Sequence, residues 1–282
     1  MLATRRLPGD AWDELGEVEV ARLEPRDDVD VLIVANEPVA FDDFPALRLV
    51  ANFGVGYDRI DVEAARARGI AVTNTPGVLD AAVADLAFGL VLAARRRIVE
   101  GDALVRRGDW GSAWSAGPFL GREVSGATLG IVGYGRIGKA VARRAAGFDM
   151  KVIYTRETDL DELLAAADVV TLHTPLRPDT TGLISRERLA RMRDGATLVN
   201  TARGAVVDED ALVDELESGR ISAGLDVFVH EPHVPERLRG LPNVVLTPHI
   251  ASATVETRAA MTRAVVDNVL AFAQGRELPN RV

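Results

Sequence analysis

The chain has no cysteine. Disulfide scaffolds, thiol nucleophiles and cysteine-ligated metal centres are thereby excluded, and the lack suits a reducing cytoplasm. It also has no long uninterrupted apolar run. The longest, Ala81 to Ala94, contains Asp85 and falls short of the roughly 20 residues that span a bilayer. The first residues, Met1-Leu-Ala-Thr-Arg-Arg-Leu-Pro8, hold no apolar core of signal-peptide length. A soluble, cytoplasmic protein without a membrane partner or a metal is expected. Positive charge is scarce too. Lys and Arg together number 33 against 42 Asp and Glu, a net charge of −9. That balance argues against nucleic acid and against an anionic membrane surface, and an anionic substrate would need its own local cations. Lysine occurs only at Lys139 and Lys151, a bias that carries no functional meaning of its own.

At 282 residues, with 48% hydrophobic and 27% charged side chains, the chain has the make-up of an ordinary globular enzyme of two domains. Its centre is Thr128-Leu-Gly-Ile-Val-Gly133-Tyr-Gly135-Arg-Ile-Gly138-Lys-Ala-Val-Ala142: an apolar strand, three glycines spaced G-x-G-x-x-G, and the start of an alanine-rich helix. In such a turn Gly133 permits the bend and Gly135 lets backbone approach a pyrophosphate. Gly138 lets the helix pack on the strand, and the helix N-terminal amides face the anion. The hexapeptide alone is weak; a strand before it and a helix after it give it the context of a dinucleotide site.

Before it, Val31–Ala35, Leu47–Ala51 and Ile70–Thr73 read as buried strands, with a surface helix over Asp61–Arg68. Asp80–Arg97 reads as a helix apolar nearly all round, suited to central packing or to a subunit contact. Gly101–Val124, with Trp110, Gly111, Trp114, Gly117, Pro118 and Gly121, reads as a helix end and a loop. After it, strands are expected at 128–132, 151–155, 168–172, 196–200, 224–227 and 244–247. Helices are expected over 136–147, 159–167, 185–192 and 209–219, with a last helix over 254–275 and a loose tail from Pro279. Alternating strands and helices imply parallel βαβ units throughout.

Ligands of such sheets bind beyond the carboxyl ends of the strands. Three of those ends run into Thr201-Ala-Arg203-Gly204, Phe228-Val-His-Glu231-Pro232 and Pro248-His249-Ile-Ala-Ser252. An arginine, a carboxylate and a histidine together suit carbonyl reduction or its reverse. Arginine holds a carboxylate or polarises a carbonyl, histidine exchanges the hydroxyl proton, and glutamate favours and orients the protonated imidazole. Hydride would come from a nicotinamide over the glycine turn. Each has a plainer alternative: a solvated arginine, a turn-capping glutamate, a satisfied core histidine. His173, after another strand, suits the cofactor side or a structural role; His230 and His233 look like exposed loop residues.

Together these stretches resemble the D-isomer-specific 2-hydroxyacid dehydrogenases over nearly the whole chain. Asn52-Phe-Gly-Val-Gly-Tyr-Asp58, Asn74-Thr-Pro-Gly77, the glycine turn, Thr201–Gly204, Gly224–Pro232 and Pro248–Ile250 follow in the family's order. The resemblance implies two Rossmann-like α/β domains with parallel sheets. The substrate domain would be discontinuous and flavodoxin-like, residues 1–95 and 255–282, with the dinucleotide-binding domain at 96–254. It implies Arg203, Glu231 and His249 as the catalytic triad, with Val55, Gly56, Arg203 and Ser252 at the substrate. Cofactor contacts are implied at Gly133, Gly135, Arg136, Ile137, Gly138, Thr155, Arg156, His173, Pro175, Thr180, Thr201, Asp226 and His249, Asp226 holding the nicotinamide carboxamide. It also implies a homodimer.

An acidic residue about 20 positions past the glycines usually marks NAD. Here the strand ends in Thr155-Arg156, which suits a 2′-phosphate, so NADP(H) is favoured over NAD(H); the competing reading has Glu157 or Asp159 on the ribose. The link beyond Thr155 is shorter than in many relatives, and Ala251 replaces a common glycine. Glu231 argues against formate dehydrogenases, and the lack of a regulatory C-terminal domain argues against D-3-phosphoglycerate dehydrogenase, an alternative that stays open beside other NAD-dependent members. Asn74–Asp80 and Ala84–Ala87 look most like glyoxylate/hydroxypyruvate reductases, acting on a small 2-keto acid. From another class, a nucleotide-sensing corepressor-like protein shares the resemblance.

Overall fold

The structure is a computed structural model that describes residues 1–111 and 119–282. The expected loop positions Trp114, Gly117 and Pro118 lie outside the described residues. By contacts the chain divides into two compact units, Met1–Leu79 with Ser252–Val282, and Asp80–Ala251.

The first unit begins with β1 (Leu2–Ala3), β2 (Glu19–Val20), β3 (Val31–Val34) and β4 (Leu49–Asn52), continues through α1 (Val62–Ala67), and reaches β5 (Ala71–Thr73). All pair in parallel in the order β2-β1-β3-β4-β5, the doubly wound flavodoxin-like order expected from the resemblance. β3 and β4 are buried along their whole length, as strands covered on both faces must be. Asp61 starts α1, its carboxylate accepting from Ala64 N–H at 2.8 Å.

The second unit starts with α2 (Asp80–Arg95) and α3 (Ile98–Arg106), and then alternates: β6 (Thr128–Val132), α4 (Arg136–Ala145), β7 (Lys151–Tyr154), α5 (Leu160–Ala166), β8 (Val169–Leu172), α6 (Arg186–Arg191), β9 (Thr197–Asn200), α7 (Glu209–Glu217), β10 (Ser222–Leu225), α8 (Glu236–Arg239) and β11 (Val244–Leu246). The six strands are parallel in the order β11-β10-β9-β8-β6-β7. The strand order reverses beside β6, where a doubly wound sheet opens its ligand crevice. β10 lies two residues earlier than expected, its Ser222 hydroxyl bonded to that of Thr197 at 2.8 Å. Asp226 therefore stands just past the strand rather than within it.

Where the sequence groups α2 with the first unit, its contacts group it with the second: it packs on α4, β9 and β10. Arg95, at its end, is almost fully buried and donates to Glu123 O at 2.8 Å and Asp168 O at 2.9 Å. α3 is a separate helix where the sequence suggests only a helix end. None of its residues is buried, and Ile98, Val99 and Val105 are about half exposed, at 53%, 53% and 55%.

The chain closes with α9 (Val255–Ala273) in the first unit, capped by the Thr254 hydroxyl on Thr257 N–H at 3.1 Å. The tail expected to be loose is tied down. Asn280 O accepts from Asn74 N–H, Asn280 N–H donates to Asn268, and Val282 N–H donates to Val72 O. The physical reason is that the edge strand β5 leaves backbone groups for a passing chain to pair with.

Candidate active site

The glycine turn follows β6. Gly133 has φ 96, the left-handed region that a side chain disfavours, and a Cβ there would meet His173 O at 2.5 Å. A Cβ on Gly138 would sit 2.2 Å from Gly133 O. Gly135 differs: φ is −82 and nothing lies within 4 Å of an added Cβ. Two glycines are thus filled in by the protein itself and the middle one faces open space. The first bond into α4 is Lys139 N–H to Gly135 O at 3.0 Å, so the amides ahead of it, those of Arg136, Ile137 and Gly138, have no partner within the helix. An open glycine and a row of spare amides fit a dinucleotide pyrophosphate. Arg136 extends from this turn and its guanidinium lies 3.5 Å from Asp80 of α2, a pairing the sequence did not suggest.

At the end of β7 the Thr155 hydroxyl accepts from Gly133 N–H at 3.1 Å, and Arg156 is exposed. The two nearby carboxylates are engaged elsewhere. Glu157 accepts from the Tyr154 hydroxyl, a bond that pushes the phenol up to about 12, and Asp159 caps α5 through Asp161 N–H at 2.8 Å. Tyr154 in turn stacks on Tyr134 of the glycine turn, ring centroids 3.7 Å apart.

Beyond β8, His173 Nε2 lies 2.9 Å from the Thr171 hydroxyl, and burial pushes the imidazole down to about 3, so it is neutral and no proton donor at neutral pH. The Thr180 hydroxyl donates to Pro175 O at 2.7 Å, closing the loop after β8. Beyond β9, Thr201 is buried and its hydroxyl has no partner among the described residues, an orphan that a bound group could satisfy.

Three strand ends carry Arg203, Glu231 and His249. After β9, buried Asn200 braces the Arg203 turn, donating to Arg203 O at 2.9 Å and accepting from Ala202 N–H at 3.0 Å. Arg203 donates to Ala202 O at 2.7 Å. The next residue must be glycine, because a Cβ on Gly204 would fall 2.0 Å from the carbonyl carbon of Phe228. That approach lays the Arg203 turn on the loop carrying Glu231. After β10, Glu231 accepts from Phe228 N–H at 3.0 Å and faces His249 Nδ1 at 2.8 Å. Burial alone would raise this carboxyl. The bond from His249, the Phe228 amide and the nearby charges of His249 and Arg203 outweigh it and hold the carboxyl below the usual range, so it is ionised at neutral pH. A carboxylate on Nδ1 fixes the proton there and leaves Nε2 as the exchanging atom.

Asp226 plays a part that the sequence did not reveal. Fully buried, it accepts from the Thr247 hydroxyl at 2.6 Å and from the Ile250 and Ala251 amides at 2.9 Å each, while its backbone oxygen accepts from His249 N–H. It shapes the turn that presents His249. Arg203, Glu231, His249 and all the expected cofactor residues thus lie in the second unit. Val55, Gly56 and Ser252 lie in the first.

Residues 88–251 match the sequence profile of the D-isomer specific 2-hydroxyacid dehydrogenase, NAD binding domain. The glyoxylate reductase of Pyrococcus furiosus is 48% identical over 97% of this chain and 88% of its own. Among solved structures, a Thermus thermophilus protein superposes with a TM-score of 0.92 at 47% identity, covering 100% of this chain and 99% of its own. The NADPH-dependent glyoxylate/hydroxypyruvate reductase of Sinorhizobium meliloti, solved with NADP and malonate, gives 0.89 at 38% identity, over 100% of this chain and 95% of its own.

The two kinds of glycine separate experimentally. Gly138→Ala, which must push backbone apart, is expected to cost about 2–3 kcal/mol in urea unfolding, whereas Gly135→Ala is expected to unfold like wild type and to lose at least about tenfold in nicotinamide dinucleotide affinity, if its Cβ stands where the pyrophosphate approaches. Wild-type NADPH binding by Gly135→Ala would show that the turn is not the cofactor's seat.

Proposed function

The chain belongs to the D-isomer specific 2-hydroxyacid dehydrogenase family, and on that premise we propose that it reduces glyoxylate or hydroxypyruvate to the 2-hydroxy acid, the D isomer where the product is chiral. The observation that carries this reading is the 2.8 Å pairing of His249 Nδ1 with an ionised Glu231, on the loop against which the Arg203 turn is packed. Bound over the glycine turn, a nicotinamide dinucleotide supplies hydride to the keto carbon. Arg203 holds the substrate carboxylate and polarises the keto oxygen. His249 Nε2 delivers the proton that turns this oxygen into a hydroxyl, and Glu231 carries the countercharge of the imidazolium. The amides of Val55 and Gly56 take the substrate carboxylate, with Ser252 near it. Asp226 and Thr201 line the nicotinamide side, and Arg136, Ile137 and the glycines line the pyrophosphate.

The preferred cofactor is NADP(H). Arg156 is exposed at the end of β7, and the carboxylates that would otherwise meet the ribose are committed, Glu157 to Tyr154 and Asp159 to the α5 cap. A guanidinium without a competing carboxylate favours a 2′-phosphate. The half-exposed apolar residues of α3, Ile98, Val99 and Val105, suit burial against a second copy, and the absence of cysteine suits the cytoplasm.

Steady-state oxidation of NADPH and NADH with glyoxylate, hydroxypyruvate, pyruvate and phenylpyruvate tests this reading. Glyoxylate and hydroxypyruvate are expected to turn over best, with NADPH preferred. Arg156→Ala is expected to raise the NADPH KM by about tenfold or more and to leave that for NADH nearly unchanged. No turnover with any of these acids would sink the enzyme reading, and an Arg156→Ala chain that still prefers NADPH would sink the cofactor assignment. Light scattering is expected to give twice the 30.3 kDa chain mass and the chain mass for Val99→Asp; a wild-type monomer contradicts the dimer.

A further inference from the structure

We propose that Asn52 and Asn74 are positioning residues that hold the loop Gly54-Val55-Gly56 with its amides outward, so that the side chains of two buried asparagines set the affinity for the substrate carboxylate. This rests on the reading that Val55 and Gly56 bind that carboxylate.

The loop follows β4 at the carboxyl end of the strand, the edge at which doubly wound sheets take ligands. Every carbonyl in it is satisfied from behind. Asn52 Nδ2 donates to Gly54 O at 3.1 Å and to Gly56 O at 2.8 Å. Asn74 Nδ2 donates to Val55 O at 2.9 Å, and Thr75 N–H donates to Gly54 O at 3.0 Å. The amides are treated the opposite way. Gly54 N–H is used, turned back on Asn52 O at 3.0 Å, but the N–H groups of Val55 and Gly56 have no acceptor among the described residues. Both residues are only partly buried, so these donors reach the surface. A peptide unit whose oxygen is fixed inward presents the N–H of the following residue outward, because the two point in opposite directions across the planar group. Fixing the oxygens of Gly54 and Val55 therefore aims the amides of Val55 and Gly56 together. Two adjacent outward amides form a concave anion seat.

The asparagines are themselves held. Asn52 is fully buried, and its Oδ1 accepts from Asn36 N–H at 2.7 Å. Asn74 is nearly buried, and its backbone N–H is bonded to Asn280 O at 3.1 Å. The Asn52 carboxamide is held at both ends and the Asn74 main chain is pinned, so the seat is formed before substrate arrives. Preorganised donors of this kind spend little binding energy on ordering the loop. Aspartate is excluded at either position for a plain reason: it carries no N–H to give the carbonyls, and it adds a negative charge beside an anion seat.

The test is Asn74→Ala in the chain saturated with NADPH, with oxalate as the carboxylate probe read by calorimetry and glyoxylate read by kinetics. We expect oxalate Kd and glyoxylate KM to rise about five- to twentyfold together, kcat to stay within about twofold, and NADPH affinity to be unchanged. Asn74→Val, which refills the buried volume without a donor, serves where the alanine chain does not fold. Thr262→Val, which removes a buried hydroxyl bond to Pro8 O in the same unit, is expected to lose stability without moving either constant. Oxalate binding by Asn74→Ala equal to wild type, or an equal loss in Thr262→Val, overturns the proposal. Val55→Pro and Gly56→Pro delete a donor outright and test the reading beneath it. If they too bind oxalate normally, the loop does not hold the carboxylate; if they lose it while Asn74→Ala does not, only the positioning role fails.

Discussion

His249 has φ 54, a left-handed backbone that costs a residue with a side chain roughly 1–2 kcal/mol, and the buried carboxylate of Asp226 is what holds it there. Three donors converge on that carboxylate, the Thr247 hydroxyl and the amides of Ile250 and Ala251. Hydrogen bonds contribute about 0.5–1.5 kcal/mol each net, so three on one side chain offset a strain of this size. The turn then delivers Nδ1 to Glu231, and the loop bearing Glu231 leaves room for no side chain at Gly204, which sets the Arg203 turn beside it. The Asp226 carboxylate, the Glu231 carboxylate and a close backbone contact form one chain of constraint. Disturbing any of them is expected to displace His249, the proton donor of the proposed reaction.

The same logic of backbone approach governs the other binding surfaces. At the glycine turn, the protein occupies the space a side chain would need at Gly133 and Gly138 and leaves it open at Gly135. At the loop after β4, carbonyls are tied inward and amides are left outward. On the proposed reading both stretches would take anions with neutral donors, which a chain of net charge −9 could do without a broad positive field. The arginines proposed to meet ligand, Arg136, Arg156 and Arg203, are each placed at a single point.

Much of this is legible in the sequence, because the signals are local. Apolar runs and charge pattern locate most strands and helices to within a residue or two, and the glycine spacing locates the turn. Arg203, Glu231 and His249 stand out because each sits just past the end of a strand. The features that escape are non-local. Two-residue strands such as β1 and β2 have no periodicity to detect, and the bonds that anchor the tail at Asn280 depend on the edge of β5. Nothing adjacent in sequence ties Arg136 to Asp80 or Asn74 to Val55. Asp226 is conspicuous for its motif, but its bonds to residues 247–251 span more than 20 positions and exist only once β10 and β11 pair. The placement of α2 with the second unit likewise comes from its packing, not from its composition.

The central claim is that His249, oriented by Glu231, is the proton donor in keto-acid reduction. The most direct measurement is the single-turnover rate of NADPH oxidation by glyoxylate, at saturating concentrations of both, for wild type and His249→Ala. General acid catalysis of this kind predicts a fall of about 10²–10⁴-fold, and a His249→Ala rate within a few-fold of wild type would contradict it.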